Sequence, residues 1–320
     1  MKILVTGGAG FIGSHICKEL IAQNHEVVCI DNLSSGFESN ITSIKSDKFT
    51  FIKMDVNTVT PELLLKWNVN AICHQAAMGS VPKSILYPEL YQYNNVNGFF
   101  TILNSAKAVG IKRIVYASSS SVYGSDTTLP KVESKTGFPL SPYAATKQIN
   151  ELQAKTYYTV YDMETIGLRY FNVFGPNQNP DGDYAAVLPK FIKLMMNGDA
   201  PTINGDGSFS RDFTYIDNVV SANIAALTTE NVLCFGQAFN IGAGASTSIL
   251  ELFTLIKTKL NYNGTPIFGP FRKGDIANSV ASIEKAKEEL AYNPLINVES
   301  GLTNTIIYFY ENFNNSAISK

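Results

Sequence analysis

The chain has 320 residues, 45% of them apolar and 16% charged. At roughly 150 residues per domain this is room for about two domains and a large core, which excludes a small disulfide-stapled scaffold. Its 25 basic and 27 acidic side chains leave a formal charge of −2, a balance with no electrostatic footprint for a nucleic-acid backbone or an anionic membrane.

No apolar window of about eighteen residues occurs, and the opening Lys2-Ile3-Leu4-Val5-Thr6-Gly7 has no signal-peptide hydrophobic region, so a cytoplasmic protein is expected. Cys17, Cys29, Cys73 and Cys234 are too scattered for a disulfide framework, form no Cys-x-x-Cys pair and are read as small core residues. His15, His25 and His74 lack metal-ligand spacing, so no metal is expected.

In chain order the pattern predicts a strand over Lys2–Thr6, a helix over Ser14–Gln23 and strands over Glu26–Asp31 and Thr50–Asp55. A helix over Pro61–Trp67, a strand over Ala71–His74 and a helix over Tyr91–Val109 follow. Next come a strand over Arg113–Ser118, a helix over Pro142–Tyr161 and a strand over Thr165–Tyr170. Continuously apolar runs such as Val27-Val28-Cys29-Ile30 are those of strands buried on both faces. Strands alternating with helices imply right-handed crossovers, hence an α/β, doubly wound parallel sheet of Rossmann type over residues 1–170.

After Tyr170 the texture changes, with a dense turn cluster over Gly175–Gly182. Residues 171–320 are expected to form mainly a smaller α/β substrate domain, with some segments returning to the main sheet. It would contain helices over Ala185–Met196 and Ile249–Leu260 and a polar tail, Glu311–Lys320, that frays.

Gly7-Gly8-Ala9-Gly10-Phe11-Ile12-Gly13 stands directly after a strand and before a helix. Glycines there let the backbone turn tightly, approach a pyrophosphate and pack helix on strand, while the helix N-terminus supplies partial positive charge. Asp31, eighteen residues past Gly13 at the end of the second strand, is placed to accept from an adenosine ribose. Its carboxylate would repel the extra phosphate of NADP, which favours NAD.

Pro142 opens a helix on which Tyr143 and Lys147 stand at i and i+4, projecting from one face. Lowering a tyrosine from its reference near 10 to about 7 takes about 4 kcal/mol, which one ammonium at ~4 Å in an effective dielectric near 20 supplies. Tyr143 is therefore expected, with a depressed pKa, as general base for a sugar hydroxyl. The run Ser118-Ser119-Ser120-Ser121-Val122-Tyr123-Gly124 ends a strand in the crevice where such folds bind ligands. Its hydroxyls could donate to a developing alkoxide; in an extended segment Ser119 and Ser121 share a face, and spacing does not choose between them.

Together with Asp31-Asn32-Leu33, Leu168-Arg169-Tyr170-Phe171-Asn172 and Arg211-Asp212-Phe213, these motifs resemble the extended short-chain dehydrogenase/reductase family of nucleotide-sugar enzymes over nearly the whole chain. Within that group, His74 to Pro82 and Asp183 to Lys190 look most like the bacterial UDP-N-acetylglucosamine 4-epimerases. The resemblance implies a tightly held NAD, Ser119 as the catalytic serine, Tyr143 as base and Lys147 as its electrostatic partner. It implies removal of the 4-hydroxyl proton with transfer of the C4 hydride, a 4-keto sugar that swings about its diphosphate, and return of the hydride to the other face.

It further implies cofactor contacts from Gly7, Gly10, Phe11, Ile12, Asp31, Asn32, Gly36, Asp55, Val56, Gln75, Ala76, Ala77, Tyr143, Lys147 and Tyr170. Substrate contacts are implied for Gly79, Ser80, Ser119, Ser120, Tyr143, Asn172, Ala186, Val187, Lys190, Ile203, Asn204, Arg211, Arg272, Asp275 and Ser279. Ser120-Ser121 replaces the Asp-Glu pair of the related sugar 4,6-dehydratases, so dehydration is not expected. Ser279 stands at the family's gate position, where a bulky tyrosine excludes an acetamido group and a small residue admits it. The expected activity is the interconversion of UDP-N-acetylglucosamine and UDP-N-acetylgalactosamine in polysaccharide supply; a UDP-glucose or UDP-glucuronate 4-epimerase is the alternative, and a non-catalytic NAD-binding regulator the remoter one. A homodimer through the helices at Tyr91–Val109 and Pro142–Tyr161 is implied by resemblance alone.

Overall fold

The computed structural model describes residues 1–181, 185–271 and 277–318. Its strands are β1 (Lys2–Thr6), β2 (Glu26–Asp31), β3 (Phe49–Lys53), β4 (Ala71–His74), β5 (Arg113–Ser119) and β6 (Glu164–Tyr170), then β7 (Val173–Phe174), β8 (Thr202–Asn204), β9 (Ser210–Arg211), β10 (Thr214–Tyr215), β11 (Gln237–Ile241), β12 (Thr247–Ser248) and β13 (Ile267–Gly269). Its α-helices are α1 (Phe11–Ala22), α2 (Pro61–Trp67), α3 (Val81–Leu86), α4 (Pro88–Tyr91), α5 (Gly98–Ala108), α6 (Pro142–Tyr161), α7 (Val187–Met196), α8 (Ile216–Thr228), α9 (Ile249–Leu260), α10 (Glu284–Leu290) and α11 (Val298–Ile318).

Seven strands form one parallel sheet in the order β11-β6-β5-β4-β1-β2-β3. Strand alternation divides its side chains between two cores. Ile3, Val5, Cys29, Val115 and Leu168 pack with Ile16 and Leu20 of α1 and Val219 and Ala222 of α8. Leu4, Val28, Ile72 and Ile114 pack on the other face with Leu64 of α2, Phe99 and Ile102 of α5 and Ala154 of α6. This is the Rossmann-like architecture that continuously apolar strands require, with both faces of the central strands covered. The remaining strands form three small pairs, β7 with β10, β8 with β13 and β9 with β12.

Four local expectations are corrected. The helix expected over Tyr91–Val109 is divided into α4, a wide π-helical turn over Gln92–Asn97 and α5. Asparagines fill that turn, and the Asn95 side chain spends its bonds on the Met78 backbone and on Thr146. Helix α1 begins at Phe11, earlier than the expected Ser14, because Gly13 belongs to its first turn. Strand β3 ends at Lys53, and Asp55 instead caps a short 3-10 turn by accepting from the Asn57 N–H at 2.8 Å. The tail expected to fray continues α11 through Ile318, a helix anchored in the core by buried Leu302, Thr305, Ile306 and Phe309.

Candidate active site

The strand order reverses at β1, between β2 and β4, so the carboxyl ends of these strands open a crevice at the topological switch point. The glycine loop leaves β1 into it. Gly7 adopts φ +67°, and a Cβ there would lie 2.6 Å from the Ala76 nitrogen; a Cβ on Gly13 would lie 2.2 Å from the Gly7 carbonyl oxygen. Gly10 is the N-cap of α1 and brings no capping side chain, so the first-turn amides, which lack intrahelical acceptors, carry the helix's partial positive charge uncompensated. Gly7, Gly10, Phe11, Ile12, Asp31, Asn32, Val56, Gln75, Ala76, Ala77, Tyr143, Lys147 and Tyr170 line one cavity of about 340 Å³. Amide donors at one point and a carboxylate at another fit a dinucleotide's pyrophosphate and ribose.

Asp31 accepts from the N–H groups of Ala9 at 3.0 Å and Leu33 at 2.8 Å, while its burial pushes the carboxyl above its ordinary pKa. Two expected cofactor residues are not on the wall. A Cβ on Gly36 would meet Ala9 and an Asp31 carboxylate oxygen at 2.9 Å, so Gly36 closes the loop behind Asp31. Asp55 braces the wall from outside, accepting from the Asn32 amide at 3.0 Å. Ser118 of the serine run lines the cavity, as do Ile30, Met54, Met78 and Asn94, which escaped sequence reasoning. Asn94 lies in the π-helical turn, which no periodicity announces. The others are strand-end or loop residues whose types carry no ligand signal.

Ser141 caps α6 by accepting from the Ala144 N–H at 3.1 Å, and Pro142 follows it, so the helix starts just before Tyr143. Lys147 is buried and donates to the Ala117 carbonyl at 2.8 Å. Its ammonium lies 6.0 Å from the Tyr143 ring centroid. Burial pulls Lys147 down to about 8, with Glu151 opposing. The expected depression of Tyr143 is not found. Burial around its hydroxyl pushes the pKa upward, against a hydrogen bond from Ser119. Ser119 Oγ accepts from the Ser121 N–H at 3.1 Å and the Ser121 hydroxyl at 3.0 Å. Ser119 also hydrogen-bonds the Tyr143 hydroxyl.

Of the residues expected on the substrate, Gly79 and Tyr143 line the cavity. Ser80 accepts from the Lys83 N–H and caps α3, and Ser120 opens the 3-10 turn after β5. Asn172 joins β6 to β7 and accepts from the Thr214 N–H through its carbonyl. Ala186 and Val187 begin α7, with Lys190 exposed one turn later. Ile203 departs from expectation: its side chain is 1% exposed in the core, paired with Phe268 across β8 and β13, while Asn204 beside it is half-buried. Arg211 donates to the Ser210 and Ala277 carbonyls, and the Ser279 N–H donates to the same Ser210 carbonyl at 3.1 Å. Ser279 is therefore held beside the strand that carries Arg211. Arg272 and Asp275, like Asp183, lie outside the described residues.

Residues 3–242 match the NAD dependent epimerase/dehydratase family. The UDP-glucose 4-epimerase of Mycolicibacterium smegmatis is 37% identical over 97% of this chain and 98% of its own length. Among solved structures, the UDP-N-acetylglucosamine 4-epimerase from Methanobrevibacter ruminantium in complex with UDP-N-acetylmuramic acid superposes with a TM-score of 0.92 at 37% identity, covering 97% of this chain and 98% of that one. The UDP-glucuronic acid 4-epimerase from Bacillus cereus, in complex with UDP-glucuronic acid and NAD, superposes with a TM-score of 0.90 at 33% identity, covering 97% and 99%. A glycine-loop cavity at the switch point, a tyrosine and lysine one helical turn apart on its wall and this breadth of likeness lead to one assignment: the chain belongs to the NAD-dependent epimerase/dehydratase family, with NAD as its cofactor.

Proposed function

We propose that this protein is a UDP-N-acetylglucosamine 4-epimerase, interconverting its substrate with UDP-N-acetylgalactosamine. The coarser activity, epimerisation of a UDP-sugar at C4, is the one its relatives share. The observation that carries the reading is Tyr143 and Lys147 on the wall of the glycine-loop cavity, with Ser119 behind the wall beside the Tyr143 hydroxyl.

In this reading Tyr143, in its phenolate form, takes the proton from the sugar 4-hydroxyl to become the phenol, and later returns it. Ser119, hydrogen-bonded to the Tyr143 oxygen, stabilises the phenolate that accepts this proton. Lys147, fixed by the Ala117 carbonyl, keeps positive charge beside the pair. When bound, NAD supplies a reversible hydride acceptor, so the reaction needs no outside oxidant. Arg211 is suited to a diphosphate because a guanidinium forks two donors onto phosphate oxygens. The small Ser279 beside it leaves room for an acetamido group. We also propose a homodimer, supported by exposed apolar side chains on the helices named for it: Phe100 on α5 and Leu152 and Val160 on α6. Among the described residues no helix is long and apolar enough to cross a membrane.

The test is to give the purified protein UDP-N-acetylglucosamine, UDP-glucose and UDP-glucuronate separately and follow the C4 configuration by proton NMR. Turnover of the acetylated sugar is expected to be fastest; equal or faster turnover of UDP-glucose or UDP-glucuronate overturns the substrate assignment. Tyr143→Phe should keep its NAD and lose about 100-fold to 10,000-fold in kcat. Undiminished turnover removes the base.

A further inference from the structure

Ser118 and Arg169 are register partners on β5 and β6, so their side chains leave the sheet on the same face, under α6. Both meet Glu151. Arg169 donates from Nε to one carboxylate oxygen and from Nη2 to the other, each at 2.8 Å, and the Ser118 hydroxyl adds a third donor at 2.5 Å. The remaining guanidinium nitrogen of Arg169 is held by the Tyr123 hydroxyl and the Glu133 carbonyl. The carboxylate therefore has one orientation. On α6 it stands one turn beyond Lys147 and two beyond Tyr143, on the same face. Ser118 itself is on the wall of the glycine-loop cavity, next to the Ala117 carbonyl that receives the Lys147 ammonium.

We propose that Glu151, locked by Arg169 and Ser118, is a positioning residue that keeps Lys147 in its ammonium form within the desolvated site. This deepens the reading above and rests on it for the role of Lys147. A buried ammonium with a single carbonyl partner is costly, and its charged form needs a nearby anion. Tyr143 and Glu151 share the helix face of Lys147 and His74 of β4 feels its charge, while Tyr116 of β5 and Arg169 of β6 interact with Glu151 and Tyr91 of α4 packs on the Tyr143 ring. His74 is buried and neutral, its pKa pushed down to about 3 by burial and then by Lys147. The phenols of Tyr116 and Tyr91 are pushed up by burial and stay protonated. Arg169 is a cation already neutralised by Glu151. Among these groups Glu151 brings the one carboxylate, and it is the group that opposes burial at Lys147, which sits at about 8.

A brace that only holds helix to sheet would leave Lys147 chemistry unchanged, whereas the inferred role makes two opposite predictions. In the holoenzyme, the pH dependence of Lys147 acetylation by acetic anhydride, read by peptide mass spectrometry, reports the neutral fraction of that amine. Glu151→Gln should move this curve down by about one pH unit, and Arg169→Met, which unmasks the carboxylate, should move it up. The alkaline limb of kcat should follow each shift, with KM nearly unchanged. If Glu151→Gln does not fold because Arg169 is left unpaired, the double variant E151Q/R169M, with neither charge, decides, and its curve should also lie below wild type. An acetylation curve at the wild-type position in the variants that fold overturns the proposal. A curve that shifts while the kcat limb stays fixed upholds Glu151 as controlling Lys147 and instead refutes the assigned role of Lys147 in the reaction.

Discussion

Gly13→Ala tests whether the glycine loop is as tightly closed as the structure makes it. The added methyl would lie 2.2 Å from the Gly7 carbonyl oxygen, 2.8 Å from the Gly8 Cα and 2.9 Å from the Gly7 carbonyl carbon, all backbone atoms that no rotamer change can clear. To move from 2.2 Å to the 3.4 Å at which ordinary contact begins, α1 and the loop must separate by about 1.2 Å. The loop resists, because the Gly7 N–H is bonded to Ile30 at 2.8 Å and Gly10 N–H to Gly7 at 3.1 Å. Overpacking of this kind costs about 1 to 3 kcal/mol. The same displacement moves the first-turn amides away from the phosphate position, so NAD affinity should fall by about 10-fold to 100-fold. Gly10→Ala is the control, since its methyl meets only the Gly7 oxygen, at 3.1 Å. It should fold with nearly unchanged Tm and still bind NAD more weakly, by obstructing the pyrophosphate. NAD released on denaturation, calorimetric titration with NAD and thermal unfolding measure both variants. A Gly13→Ala protein with wild-type Tm and a full complement of NAD would refute the close-packing account.

Ser279→Tyr should lower kcat/KM for UDP-N-acetylglucosamine by about 5-fold to 150-fold, the equivalent of 1 to 3 kcal/mol of crowding, while sparing UDP-glucose; parallel losses on both sugars would show that residue 279 is no gate. Leu152→Glu, on the exposed face of α6 where Leu152 is 69% accessible, should yield a monomer by light scattering with its fold intact, and an unchanged dimer would place the interface elsewhere. His74 is held neutral by burial with its pKa pushed from 6.5 to about 3, so the unfolded chain binds the extra proton first. Its contribution to stability is full above about pH 6.5 and is lost as pH falls toward 3, with about 2 kcal/mol gone between pH 7 and pH 5. Urea unfolding at those two pH values should show this loss in the wild type and a smaller one in His74→Gln; identical losses would assign the acid sensitivity to other groups.

The sheet was legible because burial on both faces forces its strands to be uninterrupted apolar runs, and Glu26–Asp31 and Ala71–His74 coincide with β2 and β4 to the residue. What escaped is what tertiary contact decides. Helix α8 passed unread although it covers the sheet beside α1, since its buried face includes Asn218 and Asn223. Asn223 bonds the Tyr170 hydroxyl and Gln75, contacts that make a polar residue a core residue only once three separate segments meet. Strand β11 is likewise ordinary in sequence and becomes the seventh strand through its register with β6.

The electrostatics of the Tyr143–Lys147 pair were misread, for a reason that spacing cannot reveal. A separation of four residues fixes the face on which Tyr143 and Lys147 project, but not what stands between them or where the ammonium points. Here Lys147 turns to the Ala117 carbonyl, and the partner of Tyr143 is Ser119, which arrives from another strand end. Desolvation then raises the phenol and lowers the amine together. Burial disfavours whichever form carries charge, so the phenol titrates higher and the amine lower, and the two move apart. A base and its cationic neighbour whose charged forms are both disfavoured in this way depend on every fixed charge that remains near them. That dependence gives weight to Glu151, a residue that no motif containing Tyr143 and Lys147 alone would include and that comes into view only when Ser118 and Arg169 are seen side by side on the sheet beneath it.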